Sequence, residues 1–135
     1  MKFTTPCFVR VENPEKRKEL IEWLEGIGYK FLMRGLKSNV LYVDVTSGRL
    51  LCAFESPVIQ SEMVSKGYID CGENTELFKA MAAMNYENYR EQWFVEEGRM
   101  FKCTSDKISN YSYHWLTTRK ATVEEIVEYF KNKER

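Results

Sequence analysis

Cys7-Phe8-Val9-Arg10-Val11-Glu12-Asn13-Pro14 decides the reading of the fold, because Tyr68-Ile69-Asp70-Cys71-Gly72-Glu73-Asn74-Thr75 follows the same grammar. A β-branched and aromatic run reads as a strand. The asparagine behind it can accept a backbone N–H as a helix N-cap. Pro14 suits the first helical position, where its missing donor would have no intrahelical partner anyway. Each cap opens an amphipathic stretch, and each stretch leads to a hairpin-like segment. The first hairpin is Val40 to Val45 with Leu50 to Phe54, turning near Gly48-Arg49. The second is Trp93 to Val95 with Met100 to Cys103, turning at Gly98-Arg99.

The order strand, capped helix, hairpin therefore occurs twice, in residues 7–54 and 68–103, with 104–135 as a C-terminal extension. The two asparagines lie 61 residues apart and the two turn glycines 50 apart, so the second copy has the shorter link from helix to hairpin. The reading predicts an internal duplication. Two βαββ-like units would pair edge to edge in one continuous, antiparallel-rich mixed sheet, with helices packed on it and a further C-terminal helix. The class is α+β, in a single domain over 1–135.

Within the first unit, Leu20, Ile21, Trp23, Leu24 and Ile27 form one apolar face at helical spacing, and Gly26 and Gly28 supply the stop. A second strand is expected within Tyr29 to Met33. Pro57 to Gly67 links the halves and is expected to hold a short strand or a helical turn. In the second unit, Leu77, Phe78, Ala80, Met81, Ala82, Ala83 and Met84 make a helix apolar around much of its circumference, which predicts a central position. Thr104 to Thr118 reads as loop plus one strand. Thr122 with Glu125 is a capping box, and Val123, Ile126, Val127 and Phe130 form the inward face of the last helix.

Composition bounds the function more than it selects one. Twenty basic and twenty acidic residues balance, so no global attraction to nucleic acid or anionic lipid is implied. The distribution is uneven. From Glu73 to Glu97 six acidic residues face two basic ones, whereas from Gly98 to Ala121 five basic residues face Asp106 alone. No apolar run approaches the ~20 residues that a membrane helix needs. Met1 to Pro6 carries no apolar signal core, so a cytoplasmic location and no membrane partner are expected. The four cysteines then read as reduced thiols, and without a Cys-x-x-Cys pair no zinc site is expected.

Pro6-Cys7-Phe8-Val9, Asn74-x-x-Leu77-Phe78-x-Ala80-x-Ala82-Ala83, Gln92-Trp93-Phe94, and Lys120-Ala121-Thr122-Val123-Glu124-Glu125 through Phe130 are similar to small uncharacterised proteins of gut bacteria, their phages and mobile elements. The resemblance covers most of the chain. It implies a genomic setting and nothing about catalysis.

Few residues invite chemistry. His114 is the sole histidine, which removes paired-histidine metal and hydrolase sites. Cys103, the nearest thiol to it in sequence, sits in an expected strand and reads as a buried, inert group. Gly26 and Gly28 follow a helix rather than open one, which is the wrong end for an anion site. No catalytic residue, cofactor or metal is assigned.

The best binding segment is Tyr111-Ser112-Tyr113-His114-Trp115 with Arg119-Lys120. In a strand Tyr111, Tyr113 and Trp115 share one face, and an aromatic row near cations can hold nucleotides or peptides. The plainer reading is the core face of an edge strand. The leading expectation is a non-enzymatic binding or protein-interaction module with an unknown protein partner, as a monomer or weak homodimer. The second is a nucleic-acid-binding accessory protein using 99–120, and the third an enzyme with an unconventional site.

Overall fold

Strand β1 (Cys7–Arg10) lies between two other strands and buries Cys7, Phe8 and Val9. The computed structural model describes residues 6–31, 39–44, 49–53, 56–84, 92–103 and 119–133. Among them, four helices and two sheets make the protein α+β. The chain divides into two compact units, residues 1–85 and 86–135.

In the first unit, Asn13 caps helix α1 (Pro14–Gly26) as its sequence predicts. Its side-chain oxygen accepts from the N–H groups of Glu15 at 2.9 Å and Lys16 at 3.1 Å. The guanidinium of Arg17 reaches back to the Val11 carbonyl at 2.8 Å, tying the helix start to the strand before it. Leu20 and Leu24 are buried, while Trp23 is half-buried with the Lys79 ammonium 5.3 Å above its ring. Gly28, at φ 112°, takes the left-handed conformation that ends the helix cheaply.

Three strands follow and one helix: β2 (Lys30–Phe31), β3 (Val40–Asp44), β4 (Arg49–Ala53) and α2 (Pro57–Ser65). The linker expected to hold a short strand or a helical turn holds a nine-residue helix. Ser56 caps it through the Ile59 N–H, with Pro57 at the first position. Strand β5 (Ile69–Asp70) then runs parallel to β1, and helix α3 (Thr75–Ala83) packs on β1. The five strands lie in the order β2-β4-β3-β1-β5. The turn at Gly48 lies outside the described residues.

Helix α3 is central to this unit, as expected. Leu77, Phe78, Ala80, Met81, Ala82 and Ala83 are buried, while Glu76 is exposed and Lys79 half-exposed. The Tyr29 hydroxyl donates to the Ala82 carbonyl at 2.6 Å in the interior. Burial there pushes the Tyr29 phenol well above its ordinary pKa, and it does the same to the Cys7 thiol. Cys7, Cys71 and Cys103 are buried thiols, none of them in a disulfide. Nothing is described for the side chain of Cys52.

The Asn74 oxygen accepts from the Leu77 N–H at 3.0 Å. Asn74→Ala is expected to lower the unfolding free energy by about 1 kcal/mol, and Asn74→Gly by a few tenths. A denaturant melt checks both. Equal losses would mean that the side chain does not cap.

In the second unit, β6 (Trp93–Glu96) pairs with β7 (Arg99–Lys102) and with β8 (Arg119–Lys120), both antiparallel, in the order β7-β6-β8. Helix α4 (Val123–Lys133) follows, its Ile126 and Phe130 buried. The hairpin closes between Glu96 and Arg99 through Glu97 at φ 50° and Gly98 at φ 79°. Positive φ at both central residues matches the twist of two-residue hairpins. Cys103 falls just beyond β7 rather than within it.

The expected continuous sheet is corrected by this topology. The first hairpin, β3-β4, belongs to the five-stranded sheet, and the second, β6-β7, to the three-stranded one. Residues 68–103 also straddle the division between units, with β5 and α3 on one side and the hairpin on the other. Both asparagine caps are real, yet the two segments do not build equivalent parts of one sheet.

Candidate functional site

One row of the small sheet begins the site. Val95 stands opposite Met100 on β7 and Arg119 on β8. Cross-strand partners project from the same face, so Met100, Val95 and Arg119 form a row. Trp93, two residues before Val95, shares that face. Its ring lies 5.1 Å from Tyr129 and 5.3 Å from Phe130, which holds α4 over the row.

Helix α4 presents two stripes. Ile126 and Phe130 face the interior. Glu125, Glu128, Tyr129 and Asn132 recur at i, i+3, i+4 and i+7, so they share a second face. Between that face, the sheet row and the Glu97-Gly98 turn lies an open cleft of about 530 Å³. Val95, Met100 and Tyr129 supply its apolar part, and among the described residues Glu97, Glu125, Glu128 and Arg119 line it as well.

The guanidinium is already engaged. Arg119 Nη1 and Nη2 donate to Glu125 Oε1 and Oε2 at 2.7 and 2.8 Å, a bidentate pair. Glu125 Oε1 also accepts the Thr122 N–H at 2.9 Å, and the Thr122 hydroxyl oxygen accepts the Glu125 N–H at 3.2 Å. The capping box read from the sequence is therefore present, and Arg119 locks it from outside. Both side chains keep substantial solvent exposure, so the pair's role is orientation more than stability.

The Arg119 hydrogen bonds, with the Thr122 N–H second, lower the Glu125 pKa to about 2. A depressed folded-state pKa gives stability that is present above the usual carboxylate value of 4.5 and is lost as pH falls toward about 2. A carboxyl-detected NMR titration should find Glu125 titrating near 2. Arg119→Gln should move it upward, since the arginine is the larger cause. An unchanged midpoint in that variant would contradict the pairing.

The residues proposed from sequence divide. Arg119 lines the cleft, but as a partner of Glu125. Lys120, its neighbour in β8, projects to the opposite sheet face beside Phe94. Tyr111, Tyr113, His114 and Trp115 lie outside the described residues. Sequence reasoning missed Glu128, Tyr129 and Asn132. Their signal was a helical stripe offset from the apolar one, with polar and aromatic residues that the inward face does not use.

Helix α2 offers a second surface. It buries none of its residues, and Val58, Ile59 and Val64 are exposed at 68, 49 and 49%. At 1.5 Å per residue its nine residues span about 13 Å, and with a helix width of about 10 Å its outer face covers on the order of 130 Å², far short of the roughly 800 Å² that each side of a stable interface contributes.

Among the described residues, no serine, threonine, cysteine or histidine lines the cleft. Among the described residues no group of three or more His, Cys, Asp or Glu could hold a metal ion, and no helix is long and apolar enough to cross a membrane. No family model, no curated protein and no solved structure matches the chain.

Proposed function

We propose that the chain is a non-enzymatic binding module that holds a protein partner at the cleft of residues 92–133. The observation that carries this reading is the cleft's construction. Its apolar part is fixed by a ladder row and an aromatic cluster, and polar groups from one helix stripe line the cleft beside it. Sites of this volume with an apolar base and a few convergent polar groups are built for recognition. The phage or mobile-element setting belongs to the same proposal and rests on the sequence resemblance alone.

Nucleic acid is the second reading, through the basic residues of 99–120. The Arg119–Glu125 pair weighs against it, because a guanidinium bonded bidentately to a carboxylate is poorly placed to neutralise a phosphate. Lys102, Arg99 and Lys120 keep that reading in view, and the experiment separates the two.

Selection of short peptides from a displayed library on the immobilised protein tests the proposal. Peptides should be retained, and Met100→Lys, which places a charge in that apolar part, should abolish their binding while circular dichroism stays unchanged. Retention indifferent to Met100→Lys contradicts the site. Retention of no peptide, together with salt-dependent binding of a single-stranded oligonucleotide, contradicts the function.

A further inference from the structure

We infer that Cys7 and Cys71 are a redox-sensitive pair, which a small-molecule disulfide such as oxidised glutathione converts to a reversible cross-link between β1 and β5. The topology brings the two together from positions 64 residues apart. Cys7 stands opposite Ile69 in the parallel pairing of these strands. Cys71 lies two residues beyond Ile69, so it shares the sheet face of Ile69 and Cys7. The Ile69 N–H donates to the Pro6 carbonyl and the Cys71 N–H to the Phe8 carbonyl, both at 2.9 Å, which fixes that register. The two buried thiols are hydrogen-bonded to each other.

Burial keeps the Cys7 thiol protonated while the sheet is closed. The thiolate is the nucleophile, so the reaction waits for an opening. Strand β5 supplies it. It has two residues and lies at the end of the described strand order, whereas β1 sits between β3 and β5. Short end strands belong to the low-stability part of a fold, where local opening starts. Once β5 lifts, Cys71 gives its proton to water and attacks one sulfur of the oxidant. A mixed disulfide forms, and the other half of the oxidant leaves as a thiolate and takes up a proton. As β5 re-pairs, the Cys7 sulfur attacks that of Cys71. The second half of the oxidant leaves and takes the Cys7 proton. Two protein thiols have lost two electrons and two protons, and the oxidant has become two thiols. The new bond draws the two Cα atoms toward the roughly 5.5–6 Å that disulfides prefer. The Cys71 carbonyl accepts the Asn74 N–H at 3.0 Å, so that movement reaches the cap of α3.

The test incubates the folded full chain with excess oxidised glutathione, alkylates the remaining thiols and maps peptides without reduction. The expected product is a Cys7–Cys71 cross-link, with the chain lighter by two hydrogens and Cys52 and Cys103 alkylated. Dithiothreitol should return all four thiols. The Leu77 amide, which donates to the Asn74 cap, should shift between the two forms. Cys7→Ser should stop at a glutathione adduct on Cys71, because the second attack has lost its nucleophile. The parent chain decides the outcome even where that variant folds poorly. A parent chain that keeps all four thiols overturns the proposal. So does a glutathione adduct that never resolves, or a cross-link that includes Cys52 or Cys103.

Discussion

Phe78→Ala is expected to lower the unfolding free energy by about 3–5 kcal/mol, the transfer free energy of the ring plus the cavity it leaves. The ring is fully buried, and its helix buries six of nine residues. The neighbours cannot easily close the gap, because Ala80, Ala82 and Ala83 contribute little volume to move into it, and Tyr29 is fixed by its bond to the Ala82 carbonyl. A denaturant melt of the full chain reads the loss. A change below about 1 kcal/mol would be that of a surface position and would remove α3 from the core.

Phe130→Ala is expected to cost about 3–5 kcal/mol as well, in residues 86–135. Phe130 is 5% exposed, and its ring meets Trp93 edge-on at 5.3 Å and Tyr129 at a right angle. Such edge-to-face pairs add about 0.5–1.5 kcal/mol beyond area burial. The variant should speed amide hydrogen exchange along β6 and α4. It should also loosen the cleft, since the same cluster positions Tyr129. Glu128→Lys on the neighbouring stripe should stay within about 0.5 kcal/mol of the parent. Equal losses in the two variants would mean that the stripes of α4 have been assigned to the wrong faces.

Local chemistry was legible in the sequence. Asn13 and Asn74 cap their helices because a short carbonyl side chain beside an unpaired N–H needs no distant partner. Thr122 and Glu125 form their box for the same reason. Gly98 was recognisable as a turn residue, although Glu97 sharing the positive φ was not. Membership of a sheet was not legible. Strand β5 is only two residues long, and it pairs in parallel with β1 across more than half of the first unit. The β6-β7 hairpin has the same grammar as β3-β4, but which sheet a hairpin joins depends on long-range burial. Helix α2 was ambiguous because Val58, Ile59 and Val64 have no buried face to give a periodicity. The site was half legible. Arg119 stood out as a cation, but its role depends on Glu125 six residues away, a pairing that only the strand-to-helix turn creates.

An amide chemical-shift map of the protein titrated with a peptide selected from the displayed library tests the binding cleft most directly. The structure predicts that Gly98, Met100, Glu128, Tyr129 and Asn132 shift together and saturate with one affinity. Shifts confined to Val58, Ile59 and Val64 on α2, with those five residues unmoved, would contradict it.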